Sequence, residues 1–310
     1  MHGVARVFVS RRLPGPALDR LRAAHDTTVW SERLPPSYDE LRAQAEAADG
    51  LLTLLTDRID AALLDGAPRL RAISNYAVGY DNVDTAAAAA RGIPVGHTPD
   101  VLTDATADLA FALLMAAARQ LPQATAAARE GDWLTWEPGE HLGHDVFGAA
   151  LGIVGLGRIG RAVARRAEGF GMRVIGTGRG EKIGELLERA DFVSLHCPLT
   201  PETRHLIDDA ALARMKPTAI LVNTARGPVV DQAALARALH EGQIAGAALD
   251  VTDPEPLPAE DPLWRAPNLL ITPHIGSATR SARERMTEIA VDNLLAGLRG
   301  EPMPHPVPVA

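Results

Sequence analysis

A chain of 310 residues, 46% apolar and 4% aromatic, is long enough for two domains that each bury a core. With 31 Lys and Arg against 39 Asp and Glu, the net charge is −8. That balance argues against nucleic acid or an anionic membrane surface as partner, both of which want a basic face, and points to a small molecule. The single cysteine, Cys197, rules out an internal disulfide or a thiolate metal cage, so no metal site is expected and the thiol reads as a small buried hydrophobe.

The N-terminus, MHGVARVFVSRR, returns to charge at Arg11 and Arg12 before any apolar stretch of signal-peptide length. No run approaches ~20 uninterrupted apolar residues, so a soluble, cytoplasmic protein without a membrane partner is expected. Short apolar runs then alternate with helical patterns, the sequence form of stacked βα units and parallel sheet. A first set of strands is predicted at 4–9, 27–30, 50–54, 70–73 and 94–96. Next comes a strongly apolar helix over 103–121, punctuated by Asp104, Asp108 and Arg119 and read as a buried helix between domains. Residues 130–148, rich in Gly, Trp and His, show no period and read as a functional or interaction arm. A second set of strands is predicted at 151–154, 172–177, 192–195, 219–223, 247–251 and 269–272, the count of a full six-stranded dinucleotide fold. The last helix, 281–299, is expected to pack back on the first domain. The expected fold class is therefore α/β with two doubly wound parallel-sheet domains. A Rossmann-type nucleotide domain (99–280, with an arm at about 120–148 to which the resemblance named below gives a dimerisation role) is inserted in a discontinuous flavodoxin-like domain (1–98 and 281–310), the substrate domain by that same resemblance.

The stretch LGIVGLGRIG, Leu151 to Gly160, runs a buried strand into GxGxxG. Gly155 makes the turn, Gly157 lets bare backbone approach a pyrophosphate, and Gly160 packs the following helix, whose first residues are Arg158 and Ile159. The helix N-terminus, with its unpaired N–H groups and dipole, then favours the phosphates. An acidic residue commonly ends the second strand, ~20 residues beyond the glycines, and binds the adenosine ribose hydroxyls. Here that end is Gly178 followed by Arg179. A guanidinium matches a 2′-phosphate, so NADP(H) is expected over NAD(H), although Glu181 and Lys182 stand close by.

Three further strand ends carry polar residues, and in open α/β sheets ligands sit outside the carboxyl ends of the strands. NTARG offers Arg226, LDVTDPEP offers Asp250 and Glu255, and ITPHIGS offers His274. Singly, each reads as a surface ion pair, a solvated carboxylate or a hydrogen-bonded loop histidine. Beside a nicotinamide site they make an electrophile, a carboxylate and an acid/base.

With GLGRIG, NTARG, LDVTDPEPLP and PHIGSAT in this order and spacing, the chain resembles the D-2-hydroxyacid dehydrogenase family along essentially its whole length. DVLTDATADLA, the TGR strand end and LAGLRGEPMP look most like the glyoxylate/hydroxypyruvate reductases within it. The resemblance implies NAD(P)-dependent reduction of a small 2-oxo acid. A hydride reaches the carbonyl carbon, negative charge grows on the oxygen, and a proton must arrive there. His274 is then the general acid, Glu255 the neighbouring carboxylate that favours imidazolium, and Arg226 the group that binds the substrate carboxylate and polarises the carbonyl.

By the same resemblance NYAVGYDNVD is the substrate loop, with Val78 and Gly79 as backbone anion contacts and Leu54 beside the substrate. Asp250 lies near the nicotinamide end, while Cys197, Pro198, Thr224 and Thr106 line the cofactor site. The region of Trp133 and Trp136 clasps a second subunit, which implies a homodimer with Trp136 as a candidate to reach the other copy's active site. Two alternatives are weighed against this reading. A D-3-phosphoglycerate dehydrogenase would carry a regulatory domain after EPMPHPVPVA, and a corepressor-like NAD(P)H sensor would keep the same Arg, Glu and His. A formate dehydrogenase is disfavoured because that branch pairs its His with Gln rather than Glu.

Overall fold

The computed structural model describes residues 3–308, and every structural statement below concerns these. The chain begins with β1 (Arg6–Val9), α1 (Leu18–Ala24), β2 (Asp26–Val29), α2 (Tyr38–Ala47), β3 (Gly50–Thr53), α3 (Ala61–Asp65), β4 (Ala72–Asn75), α4 (Thr85–Ala90) and the short β5 (Val95–Gly96). Its strands form one parallel sheet in the order β2-β1-β3-β4-β5. Alternate side chains leave opposite faces of a strand, so two cores result. Val7, Val9, Leu52 and Ala72 pack on one face, and Phe8, Leu51 and Ile73 on the other.

The chain continues through α5 (Thr103–Ala118), α6 (Leu121–Glu130), β6 (Ala150–Val154), α7 (Arg158–Glu168), β7 (Arg173–Thr177), α8 (Gly184–Arg189), β8 (Phe192–Leu195), α9 (Asp209–Arg214), β9 (Ile220–Asn223), α10 (Gln232–His240), β10 (Gly246–Leu249) and β11 (Leu269–Ile271). These six strands pair in parallel in the order β11-β10-β9-β8-β6-β7, with β8 and β9 buried on both faces. Helix α11 (Arg280–Leu298) then lies against α1, β3 and β4. The chain thus divides into two units, one running to Leu102 and resuming at Ala278, the other spanning Thr103–Ser277.

Two expectations need correction. Helix α5 is not a connector between domains: it packs on α7, β9 and β10 of the second unit. The polar positions that interrupt its apolar run explain this, since Asp104 and Asp108 reach Arg166 of α7 at 3.3 and 2.6 Å. The helix also stops at Ala118, because Gln120 takes a left-handed φ of +49°, and a separate helix, α6, fills the stretch between the predicted helix and the predicted irregular arm. No regular element follows between Gly131 and Ala149. Among the described residues no helix is long and apolar enough to cross a membrane.

Candidate active site

The second unit turns from β6 into α7 on Gly155, whose φ of +96° suits glycine. A Cβ at Gly155 would lie 2.7 Å from Cys197 N, and one at Gly160 would lie 2.3 Å from Gly155 O, so both glycines are required by backbone packed against backbone. Gly157 differs. It caps α7, and a Cβ built there meets nothing within 4 Å. Open space over bare backbone at the N-terminus of an eleven-residue helix fits a dinucleotide pyrophosphate, with Arg158 and Ile159 in the first turn.

At the end of β7, Gly178 N–H donates to Glu181 Oε2 at 2.8 Å, so a carboxylate does fold back onto this strand end. Arg179 is exposed, and its charge contributes to holding Glu202 below the ordinary carboxylate range, after hydrogen bonds from Thr200 and the backbone.

The end of β8 carries a group that the sequence reading passed over. His196 Nε2 pairs with Ser194 Oγ at 2.8 Å, Thr224 Oγ1 stands 3.5 Å from Nδ1, and burial brings the imidazole down to about 4, so it is neutral at working pH. Its carbonyl and Cys197 N are the backbone against which Gly155 turns. Burial pushes the Cys197 thiol up, which keeps it inert. Pro198 is exposed and accepts from Thr203 Oγ1 at 2.6 Å. Thr106, buried on α5, faces Gly276, where a Cβ would meet both Thr106 Oγ1 at 3.4 Å and Asp250 Oδ2 at 3.3 Å.

Arg226, Glu255 and His274 follow β9, β10 and β11, three adjacent parallel strands, so all three loops leave the same edge of the sheet. Each loop is tied down. Asn223, fully buried, accepts from Ala225 N–H at 3.0 Å and donates to Arg226 O at 2.9 Å, which bends NTARG back on its strand. Gly227 then lies so close to the next loop that a Cβ would fall 1.9 Å from Thr252 O. That second loop is closed by Glu255 itself, whose Oε1 accepts from Thr252 N–H at 3.1 Å. Its other oxygen, Oε2, is 2.8 Å from His274 Nδ1.

Asp250 organises the third loop. Buried to 1% exposure, it accepts from Thr272 Oγ1 at 2.6 Å, Ile275 N–H at 2.8 Å and Gly276 N–H at 2.7 Å, while its carbonyl accepts His274 N–H at 2.9 Å. Burial raises the Asp250 carboxyl, opposed by these same bonds and by the charge of His274. The anchors hold His274 in a left-handed φ of +52°, an uncommon conformation for a non-glycine residue that a surrounding network must over-determine. The sequence reading gave Asp250 a place beside the cofactor and did not foresee this brace.

Leu54, Val78 and Gly79 belong to the first unit, at the carboxyl ends of β3 and β4. Leu54 N–H donates to the buried Asp57 Oδ2 at 2.7 Å, and Ser10 Oγ donates to the same oxygen. Val78 and Gly79 are half-buried, and their carbonyls accept from His97 Nδ1 at 2.9 Å and Asn75 Nδ2 at 3.1 Å.

Residues 111–276, more than half of the chain, match the family model of the D-isomer specific 2-hydroxyacid dehydrogenase NAD binding domain. The glyoxylate reductase of Korarchaeum cryptofilum is 50% identical over 314 residues, covering 97% of this chain and 95% of that one. That of Thermococcus gammatolerans is 49% identical over 316 residues, covering 96% and 94%. A crystal structure of a Thermus thermophilus protein superposes with a TM-score of 0.92 at 53% identity, covering 98% of this chain and all of that one. The NADPH-dependent glyoxylate/hydroxypyruvate reductase of Sinorhizobium meliloti, solved with NADP and malonate, gives 0.85 at 34% identity, covering 98% and 97%. Carrying a glycine turn after β6 and, on the same sheet, three loops that bear Arg, Glu and His, the chain belongs to the D-isomer specific 2-hydroxyacid dehydrogenases, nicotinamide-dependent enzymes that interconvert 2-oxo and 2-hydroxy acids.

Proposed function

We propose that this protein reduces glyoxylate or hydroxypyruvate to the corresponding 2-hydroxy acid, of D configuration where a stereocentre forms, with NADPH as donor and in the cytoplasm. The observation that carries the reading is Glu255 Oε2 on His274 Nδ1 at 2.8 Å, in a loop packed against that of Arg226. A ring nitrogen held by a carboxylate fixes the imidazole's orientation and leaves Nε2 to meet the substrate. A nicotinamide dinucleotide at the glycine turn supplies the hydride. His274 delivers its Nε2 proton to the carbonyl oxygen as charge grows there, and Glu255 holds the ring in place for that transfer. Arg226 draws the carboxylate and polarises the carbonyl, Val78 and Gly79 offer backbone N–H groups to the carboxylate, and Leu54 bounds the substrate's variable end. Thr106, Cys197, Pro198, Thr224 and Asp250 line the cofactor side. The names of the Korarchaeum and Thermococcus relatives support the substrate class.

Arg179 supports NADPH, as does the NADP bound by the Sinorhizobium structure. The Glu181 carboxylate on Gly178 N–H supports the rival, NADH, because a carboxylate at that strand end suits a free ribose hydroxyl. Steady-state reduction of both oxo acids with each nucleotide tests the proposal. NADPH is expected to give the higher kcat/KM, with Arg179→Ala erasing the preference; an unchanged ratio refutes the role of Arg179. No nucleotide oxidation with any small 2-oxo acid would favour a corepressor-like sensor.

The proposal includes a homodimer clasped by the arm, where Trp133 and Trp136 are 73% and 80% exposed and Leu134, Leu142 and Phe147 are exposed beside them. Trp136 then reaches the active site of the second copy. Sedimentation at assay concentration is expected to show a dimer that Trp133→Ala with Trp136→Ala weakens, and a stable wild-type monomer refutes the clasp.

A further inference from the structure

The loop that follows β4 is held by its carbonyls. Ala77 O accepts from Thr98 N–H at 2.8 Å, and Val78 O accepts from His97 Nδ1 at 2.9 Å, so two successive peptides turn their oxygens toward the residues just beyond β5. In a planar trans peptide the N–H points opposite to the C=O. The Ala77 carbonyl therefore aims the Val78 N–H, and the Val78 carbonyl aims the Gly79 N–H, away from His97 and Thr98. Among the described residues neither of these N–H groups meets a protein acceptor.

The holders are themselves fixed. His97 N–H donates to His305 O at 3.0 Å, its carbonyl accepts from Asn293 Nδ2 at 2.9 Å, and its ring meets Tyr80 edge-on at 5.7 Å between centroids. On the other side of the loop, fully buried Asn75 donates from Nδ2 to Gly79 O at 3.1 Å and accepts at Oδ1 from Thr53 Oγ1. Asn82 stands behind it, donating from Nδ2 to Leu54 O at 3.0 Å and Asp57 O at 2.9 Å and accepting from Asn75.

We infer that His97 and Asn75, with Asn82 behind them, are positioning residues that aim the Val78 and Gly79 N–H groups as a two-donor cradle for the substrate carboxylate. The inference rests on the proposed reading of Val78 and Gly79 as anion contacts. A cradle of backbone donors grips a group that does not change during the reaction, so it acts on substrate and transition state alike. Its loss raises KM and leaves kcat in place.

The test uses the full-length protein, glyoxylate and NADPH. His97→Ala is expected to raise the glyoxylate KM about tenfold, as for a weakened charge-assisted hydrogen bond, with kcat within about twofold and the NADPH Kd unchanged. His97→Asn, whose amide nitrogen takes the place of Nδ1, is expected to restore KM. In a third protein glycolic acid replaces Gly79, so that an ester oxygen stands where the N–H was, and KM is expected to rise there too. If the ester raises KM and His97→Ala does not, the positioning role is overturned while the anion contact stands. If the ester leaves KM unchanged, the Gly79 contact and the inference built on it both fall. A His97→Ala protein whose kcat drops with KM, without rescue by Asn, also overturns the inference.

Discussion

Gly227 is the hinge pin of the proposed chemistry, and one methyl group tests it. It opens a 3-10 turn with ordinary right-handed backbone, so alanine meets no conformational objection there. The obstacle is the neighbouring loop: a Cβ would lie 1.9 Å from Thr252 O, 2.1 Å from its carbonyl carbon and 2.8 Å from Asp253 N. Ordinary contact begins near 3.4 Å, so the loops of Arg226 and Glu255 must part by about 1.5 Å. Overpacking of this kind costs about 1–3 kcal/mol of stability. The cost to catalysis is larger, because a displacement of about 1 Å in a positioned group lowers rates by about 10²-fold. Gly227→Ala is therefore expected to lose about 10²-fold in kcat/KM for glyoxylate reduction while remaining folded, with NADPH affinity nearly intact because the glycine turn lies elsewhere. Stopped-flow or steady-state assays alongside thermal unfolding and NADPH fluorescence titration separate these effects. A Gly227→Ala enzyme within twofold of wild type would refute the claim that these two loops must touch.

His274→Gln is expected to lower kcat by about 10²- to 10⁴-fold, the usual worth of a positioned proton donor, and Glu255→Gln to lower it less, because the ring loses the carboxylate at 2.8 Å that orients it; an unchanged kcat removes Glu255 from that role. Arg226→Lys keeps the charge but loses the planar fork, and kcat/KM is expected to fall about 10²-fold, which oxo-acid titrations would detect. Burial raises the Asp57 carboxyl against hydrogen bonds from Leu54 and Ser10 and the charge of Arg11. Because its folded value lies above its unfolded one, the stability it lends is complete at pH below the unfolded value and is lost as pH climbs through the folded one. Urea unfolding across that acid range is expected to show a gain on acidification that shrinks in Asp57→Asn.

The sheets were legible because strands such as β8 and β9 are buried on both faces and spell continuous apolar runs between turn residues. The glycine turn was legible because its glycines fall within ten residues of chain, two of them demanded by backbone packed against backbone. What escaped the sequence reading depends on partners far along the chain. Asp104 and Asp108 looked like interruptions of a helix until Arg166 came beside them. Asp250 serves the His274 loop 26 residues away at Gly276, and His97 serves Val78 from the end of the next strand. Neither role leaves a local period, since a hydrogen bond between distant loops constrains one atom rather than a pattern. The short helix α6 was missed for the opposite reason: the apolar period of α5 runs on into Leu121, and only the left-handed Gln120 separates the two.

One edge strand of the second sheet, β11, is three residues long and only half-buried, and His274, the proposed proton donor, is strung just past it. Segments of this kind open at lower free energy than a sheet's interior. Mild denaturation should therefore silence turnover while far-UV dichroism still reports an intact fold, and amide exchange at 269–276 should quicken ahead of that at β8 and β9. Durability of the enzyme and durability of the scaffold are then separate properties, and a stabilising substitution placed deep between the central strands would improve the second without the first.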